Sequence, residues 1–196
     1  MELHDGFNTV KSSNKKTYQP QENHKMDINN PYYLDILSSL NEHNVEYILV
    51  GGLAVGLHGY SRYTGDMDLW VNPTAINMER LYGSLLGMGY DKSDVNHIKA
   101  QREIENPTPI RLVEDSGVFK VDFITNLFQE LFTWNECKAE SLQYESDGIS
   151  IPVLHIRHLI KLKENSKRID DRMKDLVDAA ELKKILNLED SKKKNK

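Results

Sequence analysis

One stretch constrains this chain more than any other. It runs Tyr47-Ile-Leu-Val-Gly-Gly-Leu-Ala-Val55, then Ser61-Arg-Tyr-Thr-Gly-Asp-Met-Asp-Leu-Trp-Val71. The apolar run 45–50 has the length of a buried strand and stops at Gly51-Gly52. Residues 53–58 predict a short second helix, and 66–71 predict another strand, closed by Asn72-Pro73. Strand side chains alternate between faces, so Asp66 and Asp68 project together while Met67, Leu69 and Val71 point the other way. Two carboxylates that close repel, and one would hold its proton unless a cation intervened. Hard oxygen ligands on one face suit Mg²⁺ or Mn²⁺.

A third acid extends the pattern. Asp122 is the lone carboxylate in the apolar run Phe119-Lys-Val-Asp-Phe-Ile124, and an acid on a central strand is costly unless paired or metal-bound. If its strand lies beside that of Asp66 and Asp68, three carboxylates converge. Such a set can hold two metals ~3.5–4 Å apart, which clamp the attacking and leaving oxygens of an in-line phosphoryl displacement. Gly51 and Gly52 would let backbone N–H groups approach phosphate closely at a helix start. Ser61 and Arg62 could add a hydroxyl and a guanidinium to a triphosphate. Each piece alone is common; their order and spacing are not.

The rest of the chain reads as an alternation of helices and strands. Asn30-Pro31 opens a helix over 31–43, and another is expected over 74–87. Asp115-Ser116-Gly117 joins strands 110–114 and 118–124 into a hairpin. A helix around 127–139, a last strand over 149–154 and helices over 156–166 and 170–186 follow. In the last helix Met173, Leu176, Val177 and Ala180 repeat at helical spacing, the expected inward face. Residues 1–29 read as a flexible tail, 30–155 as the core, 156–188 as a helical part and 189–196 as a lysine-rich tail.

Composition bounds the function. A net charge of −5 argues against a broad coat of nucleic acid but leaves room for a local basic groove. The single cysteine, Cys137, excludes an internal disulfide and reads as an ordinary buried thiol in a reducing compartment. No apolar run approaches the ~20 residues of a membrane helix, and residues 1–26 lack the apolar core of a signal peptide, so a cytoplasmic location is expected.

These features together resemble the signature of the polymerase-beta-like nucleotidyltransferase superfamily. That signature is an apolar strand, Gly-Gly or Gly-Ser, a short interval, Asp-x-Asp, and a third carboxylate on a later strand. Thirteen residues separate Gly52 from Asp66 here, the long end of its range. The resemblance covers roughly 31–186. Residues 151–163 and 174–178 are similar to the C-terminal half of small bacterial members, including AbiEii-type toxins.

The resemblance implies an α/β (α+β) fold, a mixed β-sheet flanked by helices, with a helical C-terminal part. It implies an enzyme that moves an NMP from an NTP such as ATP to a hydroxyl on tRNA, protein or a small molecule, in a toxin–antitoxin or defence setting with a partner protein. It assigns Asp66 and Asp68 to both metals and Asp122 to the catalytic one. Gly51, Gly52 and Lys163 would contact phosphates, although Lys163 reads equally well as solvent-facing. Asp175 and Asp178, three residues apart, could face the site, although a solvated helix face with Lys174 is the simpler reading. His155 and His158 lie three apart with no third soft ligand placed by sequence, so zinc is not expected. A different reading is a catalytically weak, antitoxin-like nucleotide-binding module that acts through a protein partner.

Overall fold

The structure, a computed structural model, describes residues 8–11, 27–102, 109–114, 117–127, 131–166 and 172–194. Its strands are Asn8–Lys11 (β1), Tyr47–Val50 (β2), Met67–Val71 (β3), Ile110–Val113 (β4), Lys120–Ile124 (β5), Leu142–Ser146 (β6) and Ile149–Val153 (β7). Its helices are Pro31–Glu42 (α1), Gly51–Leu57 (α2), Ala75–Gly87 (α3), Lys92–Arg102 (α4), Trp134–Glu140 (α5), Ile156–Glu164 (α6) and Arg172–Lys194 (α7). The strands form one mixed sheet in the order β1-β4-β5-β3-β2-β7-β6, so the architecture is the mixed α/β one expected. No helix among the described residues is long and apolar enough to cross a membrane.

Local chemistry sets the boundaries. Asn30 caps α1 by accepting the Tyr32 N–H at 2.9 Å, and α1 buries Tyr33, Ile36, Leu37 and Leu40 against the sheet. The middle strands β2 and β3 pair antiparallel, with Leu49 opposite Leu69, and both strands are almost wholly buried. Trp70 is packed edge-on against Trp134 at 5.1 Å, so both tryptophans belong to the core.

Five segments differ from expectation, one being the lysine-rich end, where α7 continues to Lys194 instead of stopping near 186. Residues 8–11, read as part of a flexible tail, form the edge strand β1, parallel to β4, and Val10 is buried. The polar stretch after α3 is helix α4, whose only buried apolar side chains among those described are Val95 and Ile98, too few to show a period. Helix α5 starts at Trp134, not 127, because Thr133 and Glu136 form a capping box. Strand β6 was not foreseen, although Asp147 (φ 49°) and Gly148 (φ 76°) make the Asp-Gly turn that favours a two-residue hairpin. Residues 115–116 of the other expected turn lie outside the described residues, but β4 and β5 pair antiparallel as that turn requires.

Gly148 offers a clean test of backbone strain. A Cβ there would meet nothing within 4 Å, so the cost of Gly148→Ala is conformational alone. It should destabilise by about 1–2 kcal/mol. Gly56, inside α2 and equally uncrowded, should behave oppositely: Gly56→Ala gains about 0.5–1 kcal/mol. Urea denaturation of both variants checks the pair.

Candidate active site

The parallel pairing of β3 and β5 sets Asp68 directly beside Asp122. Asp66 sits in the bend just before β3 and not within the strand, yet its carboxylate joins theirs. One oxygen from each of Asp66, Asp68 and Asp122 lies within 4.8 Å of the others. The convergence expected from strand phase is therefore present in the geometry.

Sequence reasoning missed the residue that sits among them. Arg111 of β4 pairs in register with Asp122. Its Nε donates to Asp122 Oδ1 and its Nη2 to Oδ2, both at 2.6 Å, and Nη2 lies 3.6 Å from Asp66 Oδ2. The Asp122 hydrogen bond, aided by the charges of Asp122, Asp66 and Asp68, raises the Arg111 pKa against the opposing effect of burial. Arg111 was legible in principle, because it is the one polar side chain in Ile110-Arg-Leu-Val113 and a hairpin puts it opposite Asp122.

The glycines border this cluster. Gly51 takes φ +66°, and a Cβ there would fall 1.9 Å from Asp68 Oδ2. At Gly52 a Cβ would fall 2.3 Å from Thr64 Oγ1. Helix α2 begins at Gly51, and Val50 supplies no side-chain cap to its first-turn amides. Ser61 is exposed and lines a neighbouring cleft with Gly52, Leu53 and Asp27, apart from the carboxylates.

Arg62 and Lys163 are committed to acids of α7. Arg62 makes a bidentate pair with Asp178 at 2.5 and 2.6 Å, and its Nη1 donates to the Tyr63 carbonyl. Burial alone would lower the Arg62 pKa, but the hydrogen bond and charge of Asp178 raise it. Lys163 is only 8% exposed and contacts Asp175 at 2.6 Å and Asp178 at 3.0 Å. This corrects two expectations. Asp175 and Asp178 are not a solvated face, and α7 does not bury its apolar stripe. Asp175, Asp178, Ala179 and Leu182 face inward, while Met173, 75% exposed, Leu176, Val177 and Ala180 face out. The buried Lys163 and the half-buried Arg62 select the acidic face, since leaving them unpaired would cost more than exposing a few apolar side chains.

One small cleft joins the pieces. It is lined by Gly52, Arg62, Thr64, Asp66, Asp68 and Lys163, with Lys174 and Asp175 from α7. Cys137 is fully buried, with its thiol pushed up to about 12 by burial and then by Glu136 and Glu140, and it is no nucleophile. His58 is bonded to the Leu154 carbonyl at 2.8 Å.

A mixed sheet presenting clustered carboxylates beside a glycine turn defines a nucleotidyltransferase-like protein. The chain belongs to the family described as nucleotidyl transferase of unknown function (DUF2204), whose model matches residues 29–196. A search of curated proteins gives no match. Among solved structures it is similar to an antigenic nucleotidyltransferase-like protein from Paracoccidioides brasiliensis (TM-score 0.46, 17% identity, 75% of this chain and 71% of that one). It is also similar to a candidate nucleotidyltransferase from Thermotoga maritima (TM-score 0.44, 18% identity, 85% of this chain and 99% of that one).

The buried network makes a stability prediction. Asp178 is fully buried and holds both Arg62 and Lys163. Asp178→Ala leaves two cations short of their partner and should cost about 3–5 kcal/mol in urea denaturation. Lys183→Ala, which breaks an exposed pair between α7 and Glu164 of α6, should cost less than about 1 kcal/mol.

Proposed function

We propose that this chain transfers a nucleoside monophosphate from an NTP to an acceptor hydroxyl, with Asp66, Asp68 and Asp122 as the metal-holding carboxylates. The observation that carries this reading is their convergence beside Gly51, where a side chain would displace Asp68. The donor set fits Mg²⁺ or Mn²⁺: it is all hard carboxylate oxygen, with no sulfur or imidazole among the three. The bound metal would supply Lewis acidity to the transferring phosphoryl group and to the acceptor oxygen.

The chain's own residues do the rest. Asp66 and Asp68, one on each side of Met67, hold the shared ligand positions; Asp122, nearly buried, adds the third. Gly51 and Gly52 keep the approach to Asp68 open, and the uncapped amides at the start of α2 are free of side-chain competition for phosphate oxygens. Lys163 and Lys174 border the same cleft. Lys163 reaches a triphosphate only by sharing itself with Asp175 and Asp178, whereas Lys174 is exposed and lies in no ion pair among the described residues. Arg62 acts here through Asp178, which it holds against Lys163, and Ser61 lies to one side on the adjoining cleft. Arg111 balances the acids in the absence of metal by gripping both oxygens of Asp122.

A second reading, a nucleotide-binding module that acts through a protein partner, is favoured by the exposed stripe of Met173, Leu176 and Val177 on α7. Incubation of the chain with labelled NTPs against tRNA, protein lysate and panels of aminoglycosides and lincosamides separates the two. Transfer in any arm that falls at least about a hundredfold in Asp68→Asn supports the enzyme. Nucleotide binding without transfer in every arm supports the module.

Arg111 generates a prediction of opposite signs. Arg111→Met removes the cation that competes for Asp122, so calorimetry should show Mn²⁺ binding on the order of tenfold tighter. The same variant should melt lower without metal, because the guanidinium beside the three carboxylates is then removed. Equal Mn²⁺ affinity in both proteins would show that Arg111 and the metal do not compete.

A further inference from the structure

Helices α5 and α6 bring together a second group of ligands, remote in sequence from the carboxylate cluster. Glu136 and Glu140 stand one turn apart on α5 and are about half exposed, at 51% and 54% for their side chains. His158 of α6 faces both, with its side chain 6% exposed. Its Nε2 lies 3.9 Å from Glu136 Oε1 and 3.9 Å from Glu140 Oε2, too far for a hydrogen bond. Its Nδ1 is buried with no hydrogen-bond partner. One ligand atom from each of the three lies within 4.8 Å of the others.

This arrangement is costly as it stands. The Nδ1 edge of the buried imidazole has lost water and gained no hydrogen bond, while Nε2 faces two carboxylates without bonding to either. Two carboxylates meet in front of it, and neither has a Lys or Arg partner among the described residues. We propose that Glu136, Glu140 and His158 form a binding site for a divalent transition metal of the zinc class, which ties α5 to α6.

The donor chemistry selects the metal. A neutral imidazole nitrogen with two carboxylates suits zinc and its neighbours, whereas Mg²⁺ takes oxygen ligands and keeps its water. Tetrahedral bonds of ~2.0–2.2 Å place ligand atoms about 3.3 Å apart. The 3.9 Å separations close to that spacing through rotamer changes in the two exposed glutamates, with the buried ring left in place. Glu136 can spare an oxygen: its Oε2 faces the Thr133 N–H of the capping box, and its Oε1 faces His158. Three protein ligands leave a fourth position for water. Sequence alone could not assemble the set, since Glu136 and Glu140 come from a helix whose start was misplaced and His158 from another element.

The test is zinc titration of the EDTA-stripped, desalted full chain, followed by calorimetry and thermal melting. It is run in an Asp66→Asn/Asp68→Asn background and again in the parent chain with millimolar Mg²⁺ present, so that the carboxylate cluster does not contribute. One equivalent of zinc should bind, and at a hundredfold excess over Kd the melting temperature should rise by about 5 °C or more, reversed by EDTA. Glu140→Gln should abolish the shift. Glu136→Gln should abolish it too while keeping the cap, because glutamine also serves in a capping box. Mg²⁺ alone should give no shift in the double-Asn background. No zinc uptake, uptake undiminished in both glutamine variants, or an equal response to Mg²⁺ would overturn the proposal.

Discussion

The register between β3 and β5 is the constraint on which the rest of the site depends. Parallel pairing that sets Leu69 against Phe123 also sets Asp68 against Asp122, so the contacts that fill the core aim two carboxylates at one point. A slip of one residue would bury Asp68 and expose Met67 and Leu69, which are fully buried now. The hydrophobic pattern therefore enforces an electrostatic arrangement that is unfavourable by itself. Arg111 offsets that repulsion from the next strand, where the register of the β4–β5 hairpin delivers it. Core, acids and counter-charge are consequences of the same sheet.

The C-terminal helices close the cleft by a similar exchange. Helix α6 buries Lys163 and α7 answers with Asp175 and Asp178, which also secure Arg62 on the approach to β3. Three buried charges and the half-buried Arg62 pair with one another through hydrogen bonds or close ion pairs, so much of their desolvation is offset from within. The arrangement ties α7 to the loop beside the carboxylates. It also turns the apolar stripe of α7 toward solvent, the cost of satisfying the charges.

Much of the fold was legible because its signals are local. The Asn30-Pro31 start, the apolar run into Gly51-Gly52 and the Asp66-x-Asp68 alternation each depend on neighbours in sequence, and each lies where expected within a residue or so. What was not legible depends on partners far along the chain. The inward face of α7 was read from hydrophobic period, but Lys163 and Arg62 decided it. The pairing of Arg62 with Asp178, 116 residues on, could not be read from its neighbours. His158 read as a histidine without a ligand set because Glu136 and Glu140 reach it only once α5 packs on α6. Strand β6 is a different case: its Asp147-Gly148 turn is a local signal that the sequence carries in full.

The central claim is that Asp66, Asp68 and Asp122 hold the metal that serves a nucleotide at Gly51-Gly52. Crystals soaked with Mn²⁺ and a non-hydrolysable NTP analogue test it directly through the anomalous signal of manganese. The account predicts a peak within coordination distance of all three carboxylates, with the nucleotide's phosphates between it and the start of α2. Manganese and nucleotide bound elsewhere, with no peak among the three acids, would contradict it.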